Sequence, residues 1–263
     1  HVHIPQATRT QKPIYKGQNP LQGTYIRQYE GDYKCDEVAV NKMLAEKVED
    51  SRDSKVLKNF GFDDIDISTF YAYRNIFKSH KPDDARNALN DIDFLKNIGA
   101  YKTDRESGIT GLTVAGLLMF GKSISIEDAL PNYNLDYQER PRAVTEQRWI
   151  DRLTIDGSWS GNVFDFYRIV INKLFANIKV PFKLEGDKRK DDTPVHHAIR
   201  EALINTLVHA DFTDRISVLI VKRPDMFGFR NPGNMRIPIE VAIKGGESDC
   251  RNRILQKMFM LIG

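Results

Sequence analysis

REALINTLVHADF, residues 200–212, carries an apolar and a polar stripe at helical spacing. Just upstream, Thr193 followed by Pro194 marks a helix start: a hydroxyl cap, then a proline whose fixed φ suits the first helical position. From Val195 the apolar or small residues fall at 195, 198, 199, 202, 203, 206 and 207, the spacing of a helix that lays one stripe on a core. Glu201, Asn205 and His209 lie four apart and well round from that stripe, so they stack along one polar line. Ile204 and Val208 border the line on its far side. A polar line between two apolar borders suits the floor of a pocket; the other reading is a solvated helix face.

The residue types add chemistry to the spacing. A magnesium-type cation takes hard oxygen ligands, few of them from protein, so one Asn amide oxygen suffices when phosphates supply the rest. A carboxylate one turn earlier can orient or deprotonate an attacking water. Glu201 and Asn205 have the types and spacing for those two jobs.

Around this helix the patterns alternate between strand and helix. ISVLIV (216–221) and MFGFRN (226–231) read as a strand pair across the turn KRPD. YNLDYQE (133–139) and RWIDRLTI (148–155) read as strands, and VFDFYRIVINKLFANI (163–178) as a long amphipathic helix. GDKRKDD (186–192) is a solvated loop. From Asp63 to Gly121 the signals are helical. DDIDISTFYAYRNIF starts with Asp63 and Asp64 in capping range, NDIDFLKNIGAY stops at Gly99, and LTVAGLLMFG is a short apolar helix. These three helices admit a helix-turn-helix or a spacer whose apolar faces pack on neighbours. Earlier still, short runs at Val2 and Ile4, at Ile14, and at Tyr25 and Ile26 are separated by Pro13, Gly17, Pro20 and Gly23, the remnant of a β-rich unit. CDEVAVNKMLAEKVEDSRDS (35–54) is a helix running into a polar connector, with a boundary near 48–55. The fold class is α+β, with expected segments 1–50, 51–121 and 122–263.

Composition sets limits. The 263 residues, 41% hydrophobic and 29% charged, describe an ordinary globular chain with no apolar run long enough to span a bilayer. A net charge of +3 does not by itself point to a polyanion partner. Cys35 and Cys250 are far apart and form no C-x-x-C pair, which fits a reducing cytoplasm and argues against structural zinc. The chain opens on HVHIPQA, with neither initiator Met nor signal-peptide layout, and MLIG stops inside an apolar helical pattern, so it reads as part of a longer protein. Residues 1–47 hold Arg9, Lys12, Lys16, Arg27, Lys34, Lys42 and Lys47 against five acids. Tyr15, Tyr25, Tyr29 and Tyr33 are interleaved among them, to stack on bases or to pack as core and cross-strand pairs.

REALINTLVHADF, then a hairpin ending FRNPGNM (229–235), then GGESDCRNRILQKMFMLIG (245–263), occur in that order. So taken, the chain resembles bacterial proteins described as RecG-like helicases or transcriptional regulators. These join a Schlafen/AlbA-type DNA-binding domain to an ATPase-like domain of the gyrase, MutL and histidine-kinase (GHKL) type. PIYKG (13–17) with TYIRQYEGDY (24–33) is similar to the tail of the AlbA-type domain, and LTVAGLLMFGK (112–122) to the lead-in of the ATPase-like part. The resemblance implies an AlbA-type remnant over 1–50, a helical linker over 51–121 and a GHKL-like α/β sandwich over 122–263.

It also implies roles. Glu201 corresponds to the water-activating Glu, Asn205 to the magnesium-holding Asn, and His209 to a further position of the same motif. Asn231 stands where the family has an Asp that hydrogen-bonds the adenine amino group, and it lacks that charge. Gly233 would let the backbone approach the base. Gly245 and Gly246 would hinge a lid carrying Ser248, Arg251 and Asn252 to phosphate; the alternative is a loop and N-cap for the last helix. The family's second glycine-rich, phosphate-closing segment would lie beyond Gly263. No G-x-x-x-x-G-K-[ST] loop is present, which argues against a helicase motor. The implied protein is a cytoplasmic, DNA-associated transcriptional regulator with a partial nucleotide-binding domain, taking ATP and magnesium as possible ligands. The alternatives are a magnesium-dependent ATPase with Glu201 as base, or a structural module for homodimerisation.

Overall fold

The computed structural model describes residues 7, 11–28, 31–47, 51–142, 149–176, 178, 184–185, 188–189, 193–246 and 248–263. Val2, Ile4, Arg9, Tyr29 and most of the GDKRKDD loop lie outside them. The chain divides into two compact units, 1–51 and 52–263, so one boundary falls inside the polar connector around 48–55.

In the first unit a short helix α1 (Pro20–Gly23) leads into an antiparallel hairpin, β1 (Tyr25–Gln28) and β2 (Gly31–Lys34), followed by α2 (Glu37–Lys47). Asn19 caps α1 by accepting the Leu21 N–H at 2.9 Å. Register pairs Tyr25 with Lys34 and Ile26 with Tyr33, which places Tyr25 and Lys34 on one hairpin face and Ile26 and Tyr33 on the other. Tyr15, Tyr25 and Tyr33 are all exposed, so the core reading of these tyrosines is corrected: a two-stranded ribbon has too little area to bury both faces.

The second unit opens with α3 (Ile67–His80) and α4 (Asp91–Ile98), then a hairpin of β3 (Tyr101–Thr103) and β4 (Thr110–Leu112), then α5 (Val114–Phe120) and α6 (Ser123–Ala129). The cap of α3 is Asp66, whose carboxylate accepts the Thr69 N–H at 2.8 Å, rather than Asp63 or Asp64, which lie in a preceding 3₁₀ turn. Asn90 caps α4, and Gly99 ends it at φ +92°, as its position predicts. Six of the seven residues of α5 are buried, from Ala115 to Phe120, so α5 cannot lie in a DNA groove. The first turn of α4 carries Asp91 and Asp93, the wrong charge for one. The helices serve instead as packing elements.

The sheet follows: β5 (Leu135–Glu139), β6 (Asp151–Leu153), α7 (Val163–Phe175), a two-residue hairpin of β7 (Leu184–Glu185) and β8 (Lys188–Arg189), α8 (Pro194–Val208), β9 (Val218–Lys222), β10 (Phe227–Arg230), α9 (Ile239–Lys244) and α10 (Arg253–Leu261). Its order is β10–β9–β5–β6; β5 runs parallel to β9, and the outer pairs are antiparallel. A parallel pair needs a crossover, supplied here by the segment containing α7 and α8, which pack on each other. On β5, Leu135 and Tyr137 enter the core, while Asp136 and Gln138 on the opposite face are tied by Arg152 and Arg140 at 2.6–3.1 Å. The architecture is α+β, as predicted.

One hydrophobic core runs from Ile65 to Ile262 and joins α3, α4 and α5 to α7, α8, β5, β9 and α10. A separate linker ending at 121 is therefore not seen: segment 52–121 is part of the larger unit because its apolar faces are buried in that common core. Cys35 and Cys250 are buried and free. Among the described residues no helix is long and apolar enough to cross a membrane.

Candidate functional site

The start of α8 is built as its Thr-Pro signal predicts, with an addition. His196 Nδ1 lies 2.8 Å from the Thr193 hydroxyl and 3.3 Å from its backbone N–H, closing a capping box. The His196 ring is buried edge-on to Phe175, with centroids 4.6 Å apart. The inward face of α8 is therefore His196, Ile199, Leu203, Thr206, Leu207 and Val208. Val195 and Ala198, expected at the head of the apolar stripe, are exposed. The cap turns the imidazole inward, so His196 rather than Val195 fills the core side of the first turn.

Glu201 and Asn205 both lie exposed on the outer face of α8, and among the described residues neither side chain has a partner. Ile204 is half-buried against the core and Val208 is fully buried, so the expected apolar border is turned into the core, and Glu201 and Asn205 stand on a solvated helix face. The line turns inward at its end: His209 is the C-cap residue and half-buried. Burial, and then the nearby guanidiniums of Arg251 and Arg236, hold its imidazole below the ordinary range despite the opposing Asp249 carboxylate.

The last carbonyls of a helix have no partner within it and must find donors elsewhere when buried. In α8 those donors come from Cys250, Arg251 and Asn252. The Asn252 backbone N–H and Nδ2 both donate to the Val208 carbonyl at 3.0 Å, and Nδ2 also reaches the Ala210 carbonyl at 2.8 Å. Arg251 Nε donates to the His209 carbonyl at 3.2 Å and Nη2 to the Asn234 carbonyl at 2.8 Å. A cation at this end also complements the helix dipole. Arg251 and Asn252 are 2% and 4% exposed, so their predicted contact with phosphate is corrected: they are spent on backbone carbonyls, those of Val208, His209 and Ala210 at and just past the end of α8 and that of Asn234. Ser248 stays at the surface, just past Gly245 and Gly246, both at positive φ.

The Asn231–Asn234 turn closes on the same end of α8. Asn231 Nδ2 donates to the His209 carbonyl at 3.4 Å, and the Asp211 N–H donates to the Pro232 carbonyl at 3.0 Å. Gly233 sits at φ +104°, and a Cβ there would stand 2.9 Å from Arg251 Nη2 and from Asp211 Cβ. Its freedom from a side chain is thus required by Arg251 and Asp211. Asp211 itself is 2% exposed. Burial would raise its carboxyl, but the Thr213 hydroxyl at 2.6 Å and the guanidiniums of Arg52 and Arg251 outweigh that and hold it below the ordinary range.

The structure thus brings Glu201, Asn205, His209, Asn231, Gly233 and Arg251 onto or around α8, with Asn252 beneath its C-terminal end. Sequence reasoning missed Asp211, Arg52 and Asp53. Asp211 stands inside the quoted stretch, but its partners are remote in sequence. Among the described residues no group of three or more His, Cys, Asp or Glu is placed to hold a metal ion. A divalent ion would therefore rest on few protein ligands and on phosphate oxygens, for which the oxygens of Glu201 and Asn205 are chemically suited. A polar recess of about 430 Å³ lies between Glu127, Tyr133, Asn134, Arg152 and Thr154; none of the predicted site residues lines it.

Residues 41–136 match the model of a domain of unknown function, DUF8451. None of the curated proteins matches the chain. Among solved structures, the crystal structure of the DIP2311 protein from Corynebacterium diphtheriae is similar, with 17% identity and a TM-score of 0.57. The match covers 91% of this chain and 45% of that one, so the chain spans less than half the length of that protein. At this identity the likeness is one of fold.

Proposed function

We propose that this chain belongs to a DNA-associated regulator whose 52–263 unit holds a nucleotide with magnesium on the outer line of α8. The observation that carries the reading is the placement of Glu201 and Asn205. They lie one turn apart, exposed and without partners among the described residues, on a helix whose end is fastened to the Asn231–Asn234 turn. Magnesium, when bound, neutralises phosphate charge. Asn205 supplies an amide oxygen to it, and Glu201 stands one turn away to accept a proton from a water. Asn231 spends its Nδ2 on the His209 carbonyl, which leaves Oδ1 as the acceptor for an exocyclic amino group.

Sensing is favoured over rapid hydrolysis. Arg251 and Asn252 are engaged within the fold and bring no donor to the phosphates, and Asn231 lacks the charge of an Asp. A magnesium-dependent ATPase is the second reading, favoured by the position of Glu201. Titration of the full-length protein with ATP and magnesium, repeated on Asn205→Ala, tests the site: saturable binding abolished by the substitution supports it, and no binding by the parent protein overturns it. Turnover lost in Glu201→Ala with binding kept would identify a catalyst.

For DNA, the first unit offers Tyr25 beside Lys34 on one exposed hairpin face, an aromatic and a cation on the same ribbon. Arg27 is already paired with Asp32 at 3.1 Å, so its charge is partly spent. A gel-shift affinity that falls with rising salt, and falls less steeply in Lys34→Ala, supports phosphate contact there. A salt-independent affinity contradicts it.

A further inference from the structure

We propose that Arg251 is the positioning residue of this site. Its guanidinium fixes the Asn231–Asn234 turn against the end of α8 and so sets the seat of the nucleotide's base, an inference that rests on the nucleotide reading above. Three features place it in that role. First, one side chain joins two segments: it reaches the His209 carbonyl at 3.2 Å and the Asp211 carboxylate, 3.6 Å from Nη1, just past the end of α8, and the Asn234 carbonyl of the turn at 2.8 Å. Second, the turn lies directly on it, since a Cβ at Gly233 would come within 2.9 Å of Nη2. Third, its counter-ion is itself held in place: Asp211 receives Arg52 Nη1 at 3.2 Å and the Thr213 hydroxyl at 2.6 Å, and its N–H holds the Pro232 carbonyl of the same turn.

Arg251 is 2% exposed, so it lies beneath the turn and acts on a ligand only through it. A planar guanidinium can serve two carbonyls and a carboxylate at fixed angles. An ammonium on a flexible stem cannot hold that geometry, although it keeps the charge. The seat of the phosphates is separate. Asn205 stands one helical turn before His209, about 6 Å along the axis, and makes none of its bonds through Arg251. Loosening the turn therefore weakens contact with the base and leaves phosphate and magnesium at Asn205 in place.

The experiment compares ATP with inorganic tripolyphosphate, each in magnesium, on the full-length parent protein, Arg251→Lys and Asn205→Ala. Loss of one well-formed hydrogen bond at the base corresponds to about tenfold in affinity. Arg251→Lys is expected to weaken ATP by that factor with tripolyphosphate unchanged, while Asn205→Ala weakens both. Where Arg251→Lys fails to fold, judged by circular dichroism, Asp211→Asn removes the counter-charge with little change of shape, and the same split is expected. Equal loss of both ligands in the folded variant, or no loss of either, overturns the positioning role and leaves the site standing. A parent protein that binds neither ligand overturns the nucleotide reading, and this role with it.

Discussion

Asp53 accepts the backbone N–H groups of Ile254 and Leu255, each at 2.9 Å, and so caps α10 from 201 residues away in the sequence. The residue at the local cap position, Asn252, gives α10 no side-chain cap: its side chain is turned the other way, with Nδ2 donating to the Val208 and Ala210 carbonyls at and past the end of α8. One dipeptide, Arg52–Asp53, thus serves both ends of the arrangement. Arg52 holds Asp211, and Asp53 starts the helix that follows Arg251 and Asn252.

Removing that cap should cost about 1–2 kcal/mol, the upper part of the range for N-caps, because Asp53 is fully buried. Asp53→Ala should then melt about 2–8 °C below the parent protein by calorimetry. An unchanged melting temperature would show that α10 is held by its apolar face alone.

Gly233→Ala should destabilise more than Gly245→Ala. Both positions have positive φ, +104° and +72°, but only at Gly233 would the new Cβ meet neighbours, at 2.9 Å. Positive-φ strain alone is worth about 1–3 kcal/mol at either position, and at Gly233 the clash with Arg251 and Asp211 adds to it. Urea unfolding of both variants gives the comparison, and equal losses would mean that the turn yields freely.

The depressed imidazole of His209 makes a signed prediction about pH. Burial, with Arg251 and Arg236, favours its neutral form in the folded state. Below the ordinary histidine value of about 6.5 the unfolded chain therefore binds the proton more readily, and stability falls as pH falls through that value. Asp211 contributes no slope there: its carboxyl is held below the ordinary carboxylate range, so its stabilisation is lost only at more acidic pH. Urea unfolding at pH 7.5, 6.5 and 5.5 should show His209→Gln losing less stability than the parent protein on acidification. A parallel loss in both would place the titration elsewhere.

Much of the fold was legible because its signals are local. The Thr-Pro start of α8, the Gly99 stop of α4, the KRPD turn and the apolar run of α5 act within a few residues, and β5, β6, β9, β10 and α7 follow their own periodicity. The hairpin of β3 and β4, with α6 and α9, was not foreseen, since such short elements carry too few residues to show a period. In the site, the exposed line of Glu201 and Asn205 was legible from spacing of four. The roles of Arg251, Asn252 and Gly233 were not, because each answers a partner in another segment: carbonyls left over at the end of α8, or a guanidinium beneath a turn. A Cys-Arg-Asn run looks like a polar loop until the helix end it serves is known.

The magnesium dependence of ATP affinity, in the parent protein and in Asn205→Ala, reads directly whether Asn205 holds magnesium together with nucleotide phosphates. The parent protein should bind ATP more tightly with magnesium than in chelator, and the variant should show the same weak affinity in both. A variant that keeps the full magnesium enhancement, or a parent protein that shows none, would contradict it.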